Sequence, residues 1–273
     1  MPEDLLTVAM PPHRVWHQGG ARPVLALHCS LAHAGAWAGL AAGLHGVTIT
    51  ATDQIGHGRA VDWDGVSDLH AEATQSAVAM AEAMGDGAPV DFIGHSFGGT
   101  VALRVALERP DLVRSLALVE PVIFAAARVG HAATYDAFRA AHLDFAARVA
   151  AGDFAGAAAQ FHGHWGTGER FADLPARTQD YMVKRIALIV AQNPVLLDDA
   201  AGMLRAGRLE AVQVPVLLIE GAESPAIIAA VHDALAARLP RVTRLAVPGA
   251  AHMVSITHAA AVAGAVQAHL DGC

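Results

Sequence analysis

The stretch "VDFIGHSFGGTVALRVAL" (residues 90–107) restricts the fold more than any other part of this chain. Val90–Ile93 is a short apolar run of strand type, and Phe97–Glu108 carries its apolar residues at helical spacing. Only Gly94-His95-Ser96, within the run Gly94-His95-Ser96-Phe97-Gly98, stands between them to turn the chain from strand to helix. Glycines on both sides of Ser96 permit a turn too tight for side chains, so the serine hydroxyl can project from a strained corner. A helix starting directly after that serine aims its unpaired N–H groups at the same spot, which favours developing negative charge there. Glycine-rich strand–helix turns also occur without catalysis, so the chemistry depends on what the rest of the chain supplies.

Strand-like and helix-like segments alternate around this turn. The strand candidates are Val15–His17, Pro23–His28, Val47–Ala51, Val90–Ile93, Ser115–Val119, Val214–Ile219 and Val242–Val247. Helical patterns cover Ala34–Leu44, Ser67–Met84, Phe97–Glu108, Pro225–Leu239 and His258–Leu270. The later strands are continuously apolar, as expected where both faces are covered. The alternation predicts an α/β fold: a mostly parallel twisted sheet with helices on both faces, and an antiparallel hairpin at its edge from the opening residues. Residues 123–206 break the rhythm. They read as helical throughout, for example "YDAFRAAHLDFAARVAAG", and predict an all-helical cap over the strands' C-terminal ends, where open α/β sheets bind ligands. The expected organisation is a core of residues 1–122 and 207–273 with a cap of 123–206.

Composition narrows the function. Hydrophobic residues make up 54% of the chain, much of that alanine, yet no apolar run approaches the roughly 20 residues a membrane span requires. The first residues are acidic and proline-containing rather than basic, so a cytoplasmic protein without a leader is expected. Net charge is −8, Lys184 is the only lysine, and the arginines form no stripe, which argues against nucleic acid and membrane as partners. Cys29 and Cys273 make neither a disulfide framework nor a zinc set, and the cap's His162 and His164 lack further ligands. No metal and no cofactor are expected; a homodimer is left open.

Three further segments join the serine turn: "LALHCSLAHAGAW" (25–37), "ATDQIGHGRA" (51–60) and "VPGAAHMVSITH" (247–258). In this order the four resemble the motifs of the α/β-hydrolase fold superfamily over nearly the whole chain. The resemblance implies Ser96 as nucleophile and His252 as general base. It assigns His57, His95 and Asp53 structural parts. It also implies an oxyanion hole from the backbone N–H of Phe97 and a second N–H from Ser30, with Leu31 as the fallback. The chain departs from the family's His-Gly-x here, because Cys29 replaces the glycine; Cys29 is read as a packed small residue.

The third member of such a triad is a carboxylate that orients the histidine. Most family members supply it after the strand that follows the cap, in a Gly-x-x-Asp-Pro-like turn. Here that turn reads Gly221-Ala222-Glu223-Ser224-Pro225, with serine at the acid's position and Glu220 inside the strand end. Members resembling haloalkane dehalogenases take the acid from the strand after the nucleophile helix. There this chain has "SLALVEPVIF", in which Glu120 closes a buried strand. Glu120 is the expected acid and Glu223 the alternative. The resemblance then implies a serine hydrolase acting on a small, largely apolar ester or lactone. Carbon–carbon hydrolysis, perhydrolysis, acyl transfer and a non-catalytic receptor remain as alternatives. Phe124, Phe138, Phe161, Trp165, Tyr181 and Met182 are candidates for an apolar pocket wall or for ordinary packing.

Overall fold

A computed structural model describes residues 10–273. The opening stretch 1–9, on which the expectation about a leader rests, lies outside the described residues. Six strands form one sheet in the order β2-β1-β3-β4-β5-β6, where β1 is His13–Leu27, β2 Val47–Thr52, β3 Val90–His95, β4 Val113–Val119, β5 Val216–Gly221 and β6 Val242–Val247. The two opening strands of the sequence reading are one element, β1, folded at Gly19-Gly20. Partners of its first arm descend along β2, from His13↔Thr52 to His17↔Thr48, and those of its second arm ascend, from Pro23↔Thr48 to Leu27↔Thr52. The first arm is thus the antiparallel edge, and the remaining pairings are parallel. Gly19 takes φ +80°, and a Cβ on Gly20 would collide with the carbonyl of Gly46, so this fold-back requires the glycine pair.

Successive strand residues feed two separate cores, the period-two signature of a sheet covered on both faces. Leu25, Leu27, Phe92, Leu116, Leu118 and Leu218 join the layer beneath α2 (Leu69–Gly85), α3 (Phe97–Glu108) and α9 (Ala226–Ala236). Their neighbours Val24, Ala26, Ile93, Ala117, Val119 and Leu217 face α1 (Ala38–Ala41) and α11 (Ala259–Asp271). Between α9 and α11, α10 (Val254–Thr257) is a single turn.

Residues expected to form one helix, Ala34–Leu44, form a 3₁₀ turn at Ala34–Trp37 followed by the one-turn α1. A Cβ on Gly39 would lie 3.2 Å from the Ala259 Cβ, and one on Gly43 only 2.7 Å from that of Ala263. The glycines therefore let this segment rest against α11 at the expense of helical continuity.

β4 and β5 are hydrogen-bonded neighbours although 123–206 lies between them in sequence. That stretch contains no strand among the described residues; it forms α4 (Ala132–Ala150), α5 (Phe154–Trp165), α6 (Ala176–Arg185), α7 (Ala187–Ala191) and α8 (Asn193–Leu196). Tyr181 ties it to the loops at the strand ends, where its hydroxyl donates to Ala32 O (2.9 Å) and accepts from Gly58 N–H (2.9 Å). Arg185 adds a bond to Gly56 O at 3.0 Å. Among the described residues no helix is long and apolar enough to cross a membrane.

Candidate active site

The C-terminal ends of β1, β3, β4 and β5 and the loop after β6 converge on one place. Ser96 follows β3 directly and opens α3 at φ +55°, a backbone region that side chains seldom occupy. Its neighbours explain the spacing of the turn. A Cβ on Gly98 would strike the carbonyls of Leu27 and His28, and one on Gly94 would strike the backbone of Gly98 and Gly99. Glu120 follows β4 at φ +49°, pinned by its N–H on Ile219 O at 2.8 Å.

Ser96, His252 and Glu120 lie in one hydrogen-bonded line. His252 Nδ1 lies 2.5 Å from Glu120 Oε2, and its Nε2 lies 3.0 Å from Ser96 Oγ. Because a carboxylate can only accept, Nδ1 carries the proton, and Nε2 is left to accept from the serine hydroxyl. All three are buried, Glu120 completely. Burial alone would push the Glu120 carboxyl up. The hydrogen bond and charge of His252, the Ser224 hydroxyl and the Gly221 N–H (2.6 Å) outweigh it and hold the group below its usual range.

Glu223 does not take part: it is exposed and its backbone N–H goes to Ala250 O. Glu220 instead pairs with Arg244 at 3.1 Å. Ser224, which occupies the position of the usual acid, donates to Glu120 Oε1.

His95 holds His252 from behind. Burial pushes its ring down to about 3, so it is neutral at ordinary pH. Its Nε2–H donates to His252 O at 2.9 Å, and Nδ1 accepts from Ser255 Oγ at 3.1 Å. Trp165 packs edge-on against the His252 ring, with centroids 4.6 Å apart. Asp53 joins two loops, accepting from Ala34 N–H (2.7 Å) and Arg59 N–H (3.0 Å). The His57 ring bonds Ile55 O and packs against His28. Burial pushes the Cys29 thiol up to about 12, which leaves it protonated and unreactive.

Phe97 and Ser30 flank the serine. Neither backbone N–H has a hydrogen-bond partner among the described residues, and Leu31 beside Ser30 takes φ +59°. Ser30 Oγ donates to Gln192 Oε1 at 3.0 Å. Gln192 is a residue that sequence reasoning missed; its only signal was a carboxamide within the apolar run "ALIVAQNPVLL".

A small cavity of about 30 Å³ lies over Ser96 and His252, walled by Val122, Phe124, Phe161, Trp165, Ile189 and Leu196 and by the polar Ser30, His142, Gln192 and Asn193. A recess of about 590 Å³ shares His142, Phe161 and Trp165 with it and adds Phe138 and Phe145. Of the other aromatic and sulfur candidates, Tyr181 is the tie described above and Met182 packs within the helical layer. His162 bonds Glu169 O at 2.9 Å, and His164 lines the larger recess.

Comparison with known proteins agrees with this architecture. The chain matches the family model described as "alpha/beta hydrolase fold" over residues 22–259. Lipase LipV of Mycobacterium tuberculosis is 39% identical over 104 residues, which are 38% of this chain and 39% of that protein. Monoglyceride lipase of Homo sapiens is 32% identical over 123 residues, 41% of this chain and 39% of the relative. The chain thus spans about two fifths of the length of the curated relatives it matches. The crystal structure of the enol-lactonase from Burkholderia xenovorans superposes with a TM-score of 0.67 at 19% identity, covering 95% of this chain and 96% of that one, a likeness of fold. With the family model extending from the second arm of β1 to the start of α11, and the strand order and serine turn to match, the chain belongs to the alpha/beta hydrolase fold family.

Proposed function

We propose that this protein is a serine hydrolase that cleaves a small, largely apolar carboxylic ester or lactone through an acyl-enzyme on Ser96. The observation that carries the reading is the line from Ser96 Oγ through His252 to Glu120, at 3.0 and 2.5 Å. Ser96 Oγ attacks the carbonyl carbon while His252 Nε2 takes its proton, and the imidazolium so formed is stabilised by the Glu120 carboxylate. The tetrahedral oxyanion is held by the free N–H groups of Phe97 and Ser30, aided by the α3 N-terminus. His252 then returns the proton to the leaving oxygen, and water resolves the acyl-enzyme by the same route in reverse.

Residues 123–206 act as the cap in this reading. They supply Phe124, Phe161, Trp165, Ile189, Gln192 and Leu196 to the walls around Ser96. The adjoining aromatic recess suits an apolar substituent. The names of the partly matching relatives, both lipases, lend support to an ester substrate.

The test is reaction with a fluorophosphonate together with hydrolysis of short 4-nitrophenyl esters. Wild-type protein is labelled once per chain and turns the esters over. Ser96→Ala loses the label, and its turnover falls by about 10³-fold or more. Activity surviving in Ser96→Ala at about a tenth of the wild-type level would refute the nucleophile.

A further inference from the structure

One buried polar group in the cavity over Ser96 has no task in the mechanism above. Gln192 is 2% exposed and lines the same cavity as Ser96 and His252. Its Oε1 is engaged by the Ser30 hydroxyl at 3.0 Å, whereas its Nε2 has no hydrogen-bond partner. With Oε1 accepting from the Ser30 hydroxyl, both hydrogens of Nε2 are left unmatched. Buried donors are nearly always paired, and an unpaired one in a binding cavity calls for an acceptor on the ligand. His142 and Asn193, also on the cavity wall, satisfy each other at 2.7 Å and do not compete for it. The remaining wall residues, such as Val122, Ile189 and Leu196, carry apolar side chains.

Resting on the reading of Ser96 as nucleophile, we propose that Gln192 is a specificity-determining residue. It selects substrates that carry a second acceptor oxygen next to the reacting carbonyl, as in 2-alkoxy or 2-oxo acyl esters. Gln192 and Ser96 wall the same small cavity, so an oxygen that meets Nε2 while the carbonyl meets Ser96 is carried by the same acyl group, near that carbonyl. A plain hydrocarbon acyl chain leaves the donor buried and unpaired, which makes Gln192 discriminate against it as well as for its oxygenated counterpart.

The experiment compares phenyl methoxyacetate with phenyl butanoate, acyl groups in which an ether oxygen replaces one CH₂. Their kcat/KM ratio is divided by their ratio of hydroxide-catalysed rates to remove intrinsic reactivity. Wild-type protein is expected to prefer the methoxyacetate by about tenfold or more after that correction, and Gln192→Leu and Gln192→Met to bring the preference to near unity. The ratio within one preparation is independent of the fraction folded, and the wild-type ratio stands even where a variant folds poorly. Fluorophosphonate labelling of wild-type Ser96 runs in parallel. Labelled protein without the preference, or a preference that persists in both variants, overturns the role of Gln192 and leaves the nucleophile standing. Absence of labelling overturns both.

Discussion

Exchanging Glu120 for glutamine changes one atom and almost no volume, and the structure dictates how that atom must sit. Glu120 Oε1 accepts from Gly221 N–H (2.6 Å) and Ser224 Oγ, while Oε2 accepts from His252 Nδ1 (2.5 Å). A carboxamide has only one oxygen. Placing its NH₂ toward Gly221 sets donor against donor at a fixed backbone N–H, so the oxygen stays there and the NH₂ faces His252. The imidazole then accepts at Nδ1 and carries its proton on Nε2, which points that proton at Ser96 Oγ and leaves no base for the hydroxyl. Loss of the correct tautomer at a comparable site costs about 10⁴-fold in kcat, or about 5.5 kcal/mol of barrier. Glu120→Gln is therefore expected to lower kcat for a 4-nitrophenyl ester by three to four orders of magnitude, by about that arithmetic, with KM nearly unchanged. Glu223→Gln, altered at an exposed side chain, keeps its turnover. Stopped-flow and steady-state rates on the two variants, with circular dichroism to establish folding, make the comparison. Near-normal kcat in Glu120→Gln, or a collapse in Glu223→Gln, would show that the reasoning about the acid is wrong.

Ser224→Ala removes one hydroxyl donor from the buried carboxylate and is expected to cut kcat by about ten- to a hundredfold, the scale of one hydrogen bond to a charged group. Tyr181→Phe unpairs Ala32 O and Gly58 N–H together, and should lower unfolding free energy in urea by about 1–3 kcal/mol. Stability should fall on acidification well before the carboxylates titrate. Burial pushes His28, His70 and His95 down to about 3 and His57 and His232 to about 4, so between about pH 6.5 and those values the unfolded chain binds protons that the folded chain refuses. Each such group removes up to about 1.4 kcal/mol per pH unit, a loss absent above pH 6.5. Thermal melts at pH 7.5, 6 and 5 test this, and an unchanged Tm across that range would contradict it.

Much of this arrangement was legible because the relevant physics is local. Gly94 and Gly98 announce a turn that only glycine backbone fits, and the apolar runs of β3 to β5 announce a sheet covered on both faces. Glu120 was readable for a different reason, since a charge ending a buried strand demands a partner, and Ser224 at the acid's usual place in the Gly-x-x-Asp-Pro-like turn left that role to another residue. Gln192 was not legible, because a carboxamide in an apolar helical stretch gives no hint of Ser30, which lies far away in sequence. Tyr181 reads as packing until its hydroxyl is seen bridging Ala32 and Gly58. The broken helix at Ala34–Leu44 depended on how closely α11 lies against Gly39 and Gly43, a distance that no local pattern encodes.

The position of Glu120 also bears on how the chain tolerates change in length. Ser96 and Glu120 are both set before residue 123, on the adjacent strands β3 and β4, whose register fixes their separation. The helical stretch 123–206 leaves the sheet just after Glu120-Pro121 and returns ahead of β5. Residues can be gained or lost within that stretch without altering the spacing between Ser96 and Glu120, so long as β5 still docks on β4. An acid carried by the turn after β5 would lie downstream of every such insertion, and its position would depend on how the returning chain re-enters the sheet. With Glu120 upstream, only its partners His252, Gly221 and Ser224 must be delivered by the later chain. The spacing of Ser96 and Glu120 is thereby separated from the segment that shapes the pocket.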